Sequence, residues 1–301
     1  MTRALVLGGG GPVGVAWEAG LLVGLGRGGA AVAEADAVIG TSAGAVVGCI
    51  LASGGDLTQV TSLVATAFGA EHSQLVAQAA GPLDRLISVL AQSALRPQEA
   101  ARLWAQLGSE AAAAQTMSEG SWLKIFQTFA AVAWPPGFAC TAVSAADGCY
   151  QVWDQSCGID VQHAVASSCA FPLVFPLVTI SGRRWMDGGV RDFLNADAAA
   201  GHDVVLAVSC GLLDIPSDFG IPAMQAVMGA TRARLEALRD GGARVATIVP
   251  NEEMLEISGW GQNLMDVSRA NAAYQAGTRQ GEAEARHLRT FWPARTDAEM
   301  D

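Results

Sequence analysis

Two short segments of this chain carry residue types that can do covalent chemistry. In residues 35–55 an apolar run, Ala37-Val38-Ile39, meets Gly40-Thr41-Ser42-Ala43-Gly44, and a second run of small apolar residues follows. The pattern reads as strand, tight turn and buried helix. The turn fits G-x-S-x-G, in which a serine hydroxyl stands exposed at the tip as a nucleophile. Gly40 and Gly44 lie two residues either side of Ser42, where side chains would collide as strand and helix close together. The helix starts at the serine, so its first N–H groups face any negative charge that develops there. An inert Gly-rich turn would look similar in a chain with 35 glycines, so the motif depends on its context. The second segment is Asp187-Gly188-Gly189, at the end of a hairpin over residues 178–186 that turns at Ser181-Gly182. It reads either as a turn former or as the base partner of Ser42.

A third segment could serve these two. Residues 3–7 form a short strand suited to the middle of a parallel sheet. Gly8-Gly9-Gly10-Gly11-Pro12-Val13-Gly14 follows, then a helix predicted over residues 15–24, with Pro12 near its first turn. Bare N–H groups in such a loop bind an anion or a developing oxyanion. Gly9-x-Gly11-x-x-Gly14 also fits the dinucleotide fingerprint, with Glu34 and Asp36 near the place of a ribose-binding acid. A nucleotide-binding oxidoreductase is therefore a rival reading. Against it, residues 28–33 make a poor second strand, and the next strand leads into the Ser42 turn.

The remaining elements must position these turns. Residues 56–136 are rich in Ala, Leu and Gln. Breaks at Gly69, Gly81-Pro82, Pro97, Gly108 and Gly120 predict four or five helices. This inset either packs on the sheet or walls an apolar substrate, with Phe68, Leu86, Trp104, Trp122, Phe126 and Phe129 as candidates. Ala146-Asp147-Gly148 joins two strands as a hairpin, and residues 161–168 read as a short helix. A strand over 203–209, an amphipathic helix over 223–239 with Arg232, Arg234 and Arg239 toward solvent, a strand over 243–249 and a helix from Leu264 to about Arg289 complete the chain. A single domain over residues 1–290 and a polar tail over 291–301 are expected.

Composition narrows the partners. The chain has 301 residues, 51% hydrophobic and 16% charged, with a net charge of −11. That balance argues against nucleic acid, whose phosphates require clustered Lys and Arg. It also argues against electrostatic docking on an anionic membrane. No run of roughly 18 apolar residues predicts a membrane span, and the N-terminus reads as a strand rather than a signal peptide. Cys49, Cys140, Cys149, Cys157, Cys169 and Cys210 show no CxxC spacing. They read as buried free thiols of a reducing, cytoplasmic protein, not as zinc ligands. No metal or cofactor is expected. His202 and His287 would have to complete a Ser–Asp–His triad if one existed. His72 and His163 read as structural or exposed.

Taken together, Gly9-Gly10-Gly11-Pro12-Val13-Gly14, Gly40-Thr41-Ser42-Ala43-Gly44 and Asp187-Gly188-Gly189 resemble the motifs of the patatin-like phospholipase family. Ser167-Ser168-Cys169-Ala170-Phe171-Pro172 with Phe175-Pro176 is similar to the stretch that precedes that family's Asp-Gly-Gly. The resemblance spans about residues 4–210. It implies an α/β fold of three layers, α/β/α, around a central, mostly parallel sheet. It also implies a Ser–Asp dyad without an essential histidine, which cleaves carboxylic esters of lipids. Ser42 would be the nucleophile and Asp187 the proton acceptor. Gly9, Gly10 and Gly11 would form the oxyanion hole. Gly14, Gly40, Thr41, Ala43, Gly44, Gly188 and Gly189 would complete the motifs. The partner would be a lipid or ester, met through transient contact with a membrane or micelle. One position departs: the family often has Arg or Lys where this chain has Val13. A non-catalytic lipid-binding or regulatory member of the fold is the alternative. Arg183, Arg184 and Arg191 flank Asp187 as phosphate-binding candidates or as solvated surface arginines.

Overall fold

A computed structural model describes residues 1–68, 80–214 and 222–292. Gly69, His72 and the tail beyond Trp292 lie outside the described residues. The sheet grows from β1 (Arg3–Leu7), whose five residues are all buried. It pairs in parallel with β2 (Ala37–Gly40) on one side and β7 (Val204–Val208) on the other. β2 pairs in parallel with β3 (Phe138–Ser144), and β7 with β8 (Arg244–Ile248). Three antiparallel strands finish the sheet: β4 (Tyr150–Trp153) and β6 (Arg183–Asp187) on β3, and β5 (Val178–Ile180) on β6. The result is one mixed, mostly parallel sheet of eight strands in the pairing order β5-β6-β3-β2-β1-β7-β8, with β4 also on β3.

Successive strand residues feed opposite faces, as the pleat requires. Leu5 and Leu7 enter one core, while Ala4 and Val6 enter another on the opposite face. α1 (Gly11–Arg27), α2 (Ala43–Ala52) and α10 (Ala270–Phe291) cover the first face, and α8 (Pro222–Asp240) covers the second. The fold is thus a three-layer α/β/α sandwich. α1 starts earlier than residues 15–24 because the glycine run itself enters the helix and Pro12 fixes φ in its first turn.

The segment between α2 and β3 does not stay on one side. α3 (Val60–Ala67) and α6 (Glu119–Ile125) join the core of α1 and α2. α4 (Ala80–Leu95) and α5 (Ala100–Ala113) supply a separate core with α8. Arg85 on α4 clasps Glu110 on α5 through two hydrogen bonds of 2.9 and 2.6 Å. The six apolar candidates for a substrate wall belong to these interiors. Leu86, Trp104, Trp122, Phe126 and Phe129 are buried, and half-buried Phe68 packs on the Trp122 and Phe175 rings.

α1 and α10 pack backbone to backbone. A Cβ on Gly20 or Gly24 would strike the Tyr274 or Thr278 carbonyl, and one on Gly277 or Gly281 would strike that of Trp17 or Leu21. α10 starts at Ala270 rather than Leu264. A short helix not predicted from the sequence, α9 (Glu252–Ser258), precedes it. Asn251 caps α9 by accepting the Met254 N–H, and left-handed Gly259 ends it. Asp266 then caps the turn that leads into α10.

Candidate active site

Strand register brings the two turns together. Cys140 of β3 pairs with Gly40 on one edge and with Trp153 of β4 on the other. Ala142 pairs with Gln151 of β4 on that second edge, so its other partner, Asp187, lies on the same edge as β2. β2 and β6 therefore meet end to end along one edge of β3. Their chain ends, Thr41-Ser42 and Asp187-Gly188, face each other across the gap.

Ser42 sits at φ 54° and ψ −113°, a conformation that L residues rarely adopt. It is held there by its surroundings. Its N–H donates to Ser168 Oγ at 3.0 Å, and its carbonyl accepts the Cys169 thiol at 3.2 Å. Gly40 and Gly44 are required, because a Cβ on Gly40 would strike the Gly44 carbonyl and one on Gly44 the Leu7 carbonyl. Ser42 keeps partial exposure, so its hydroxyl is reachable.

Asp187 is 2% exposed. Its N–H donates to the Ala170 carbonyl at 3.0 Å, and its Oδ1 accepts the Gly189 N–H at 2.7 Å. The Ser42 side chain lies beside the same carboxylate and favours its ionised form. Burial outweighs both of these contacts and lifts its pKa from 3.8 to about 7. Gly188 leaves no room for a side chain, since a Cβ there would strike Thr141.

The glycine loop lies beside the serine. A Cβ on Gly9 would be 3.5 Å from Ser42 Cβ. Gly9 corrects the expected set of oxyanion donors: its N–H is already given to the Phe193 carbonyl at 2.6 Å. The N–H groups of Gly10, Gly11 and Ala43 make no hydrogen bond among the described residues. Val13, where a cation was expected, is fully buried, and its N–H donates to the Leu264 carbonyl at 3.1 Å. A backbone contact from the α9–α10 connection thus braces the loop.

The sequence reading missed the residues that tie these pieces together. Ser168, Cys169 and Ala170, at the end of α7 (Val161–Ser168), contact Ser42 and Asp187 in consecutive positions. Only their place in the family-like segment pointed to them. Buried Asn195 donates to Thr41 Oγ1 at 3.2 Å and to the Gly188 carbonyl at 3.1 Å, joining the serine turn to the aspartate turn. Thr141 Oγ1 lies 2.8 Å from Thr41 Oγ1 in the same cluster. Asn195 is fixed in turn by Asp192, whose Oδ1 accepts its N–H at 2.8 Å. Asp192 Oδ2 takes Thr231 and Arg234 from α8 at 2.8 and 3.0 Å. Arg234 therefore turns inward rather than toward solvent.

Other candidates lie elsewhere. Glu34 and Asp36 precede β2, at the end of the sheet opposite the glycine loop, and both engage Arg3. A ribose acid would have to follow β2, so the dinucleotide reading fails on position. His202 precedes β7 and contacts the Ala199 carbonyl at 3.1 Å. A five-residue strand, on the order of 16 Å, separates its end of the sheet from the serine's end. Exposed His287 lies two residues past Ala285, which packs on Gly28 beyond the far end of α1. Neither histidine reaches Asp187. His163 faces Asp160 at 2.8 Å. Arg191 is not a solvated arginine. It binds Asn195 and Asp197 and stacks 4.1 Å over the Tyr150 ring. Arg183 pairs with Asp147 at 2.6 Å. All six cysteines are free, but Cys149 is exposed and Cys157 and Cys169 are only partly covered, so burial is not general.

A strained serine at a strand-to-helix turn, facing an aspartate across one strand edge of a three-layer α/β/α sandwich, defines the class of this protein. The family model of patatin-like phospholipase matches residues 5–200, and the chain belongs to that family. Among solved structures, that of VipD from Legionella pneumophila is similar. The likeness has a TM-score of 0.47 over 95% of this chain and 67% of that chain, at 15% identity. No curated protein sequence matches the chain at a significant level. Among the described residues, no helix is long and apolar enough to cross a membrane.

Proposed function

We propose that this chain is a serine acyl hydrolase that cleaves carboxylic esters of lipids through Ser42 and Asp187. One observation carries the reading. A serine in a strained, positive-φ conformation sits beside a buried aspartate whose pKa is lifted to about 7. An ordinary aspartate is too weak a base at neutral pH, about pKa 3.9. Raised to about 7, Asp187 is both substantially ionised and basic enough to take a hydroxyl proton.

The Ser42 oxygen attacks the ester carbonyl carbon as its proton passes to Asp187. The carbonyl electron pair moves onto oxygen, where the N–H groups of Gly10, Gly11 and Ala43 stabilise it. Collapse expels the alcohol, which takes the proton from Asp187 and leaves Ser42 acylated. Water then attacks the acyl group, gives its proton to Asp187 and frees the acid. The proton finally returns to Ser42. Asp187 acts as base, acid and base again, and no histidine enters.

Labelling with a fluorophosphonate probe tests the reading. Wild type should label, Ser42→Ala should not, and Asp187→Asn should label far more slowly. Ester turnover should fall by several orders of magnitude in Ser42→Ala. Undiminished turnover in that variant would remove Ser42 from the reaction.

A further inference from the structure

A carboxyl group that the reaction above does not use lies beneath the glycine loop. Glu18, in α1, is fully buried. Gly14 stands four residues before it, on the same helix face, and helical side chains lean toward the N-terminus. With no side chain at Gly14 to block it, the Glu18 carboxyl reaches back under the loop. Its Oε1 accepts the Gly8 N–H at 2.9 Å. The Gly8 carbonyl accepts the Gly44 N–H at 3.0 Å, two residues past Ser42. Glu18 Oε2 meets no hydrogen-bond partner among the described residues. The thiol of Cys210, just past β7, lies beside the carboxyl. Cys210 also forms the floor of the loop. A Cβ on Gly10 would lie 2.5 Å from its Sγ, and one on Gly14 3.0 Å.

We propose that Glu18 is a positioning residue that works as a neutral carboxylic acid, setting the glycine loop against Ser42 together with Cys210. The proposal rests on the hydrolase reading. In the neutral form one oxygen accepts the Gly8 N–H, and the other carries its proton, so no buried charge is left without a counter-charge. Cys210 is the titratable group that faces it. Among the described residues, no charged side chain is a cause of its shift. Burial accordingly pushes the Glu18 pKa well above the carboxylate range, and that of Cys210 up as well. An ionised Glu18 would place an unpaired buried charge under the N–H groups that must receive the oxyanion.

Glu18→Gln keeps the shape and the Gly8 contact without the charge, whereas Glu18→Ala loses that contact. Glu18→Gln should retain near wild-type kcat at neutral pH and lose the alkaline fall in kcat that wild type shows. Glu18→Ala should lose on the order of 10² in kcat with KM little changed, as a displaced loop predicts. Infrared spectra above the Asp187 titration should show a carboxylic-acid carbonyl band in wild type that is absent in Glu18→Gln. A glutamine variant as impaired as the alanine variant, unchanged kcat in Glu18→Ala, or no such band would overturn the proposal. If Glu18→Ala does not fold, the glutamine variant and the infrared band still decide. Activity surviving in Ser42→Ala would instead overturn the hydrolase reading. Activity lost there but intact in Glu18→Ala overturns this proposal alone.

Discussion

As the proposed base, Asp187 would combine catalysis with a cost to stability. Its carboxyl holds a proton in the folded protein until about pH 7, whereas its unfolded counterpart releases it near 3.8. As pH rises between these values the unfolded state loses its proton first, so folding stability falls. The loss is on the order of 4 kcal/mol in total by linkage. Asp187→Asn, which keeps an oxygen for the Gly189 N–H, should therefore raise Tm above pH 7 and leave it nearly unchanged in acid. Thermal melts across pH check this. Wild-type kcat/KM should rise with pH through an acid limb near 7, because only the ionised carboxylate accepts the serine proton. A flat profile across that range would detach Asp187 from the rate. The types of both residues were legible in the sequence. Their supporting partners were not, because Ser168, Asn195 and Glu18 act through contacts that span long stretches of chain.

At the scale of elements, the seam between α1 and α10 stands out. Gly20 and Gly24 on α1 and Gly28 just past its end recur at four-residue spacing, as do Gly277, Gly281 and Ala285 on α10. The close approach leaves no room for side chains and permits weak Cα–H···O contacts between the helices. It also seats the connection that lends the Leu264 carbonyl to Val13. Gly281→Val would press a branched side chain on the Leu21 carbonyl, which is backbone and cannot rotate away. The expected cost is about 3 kcal/mol, at the upper end for overpacking. It should be read as a lower urea midpoint at unchanged slope. An unchanged midpoint would show the seam to be loose. The sequence displayed these glycines but did not reveal that the two helices are partners, since α1 and α10 stand at opposite ends of the chain.

For the whole molecule, the strand elements were read from sequence with little error. The thiols offer a global test. All six cysteines are free, and burial holds the Cys49 pKa at about 12 and raises those of Cys140, Cys169 and Cys210. Thiol titration of the native protein should modify exposed Cys149 first, and unfolding should release six equivalents. Fewer than six under non-reducing denaturation would reveal a disulfide. The sequence alone determined the local chemistry: glycines where backbones must touch, a serine and an aspartate each at the end of a strand, and apolar runs that alternate between faces. Only the tertiary structure decided how those ends meet. Register along β3 places β2 and β6 on a single edge so that Ser42 faces Asp187. Burial then sets the base strength of Asp187, and the hydrogen bond to Phe193 removes Gly9 from the free donors. Pairing partners, desolvation and competition for an N–H depend on residues distant in the chain, so no local pattern of residue types could have fixed them.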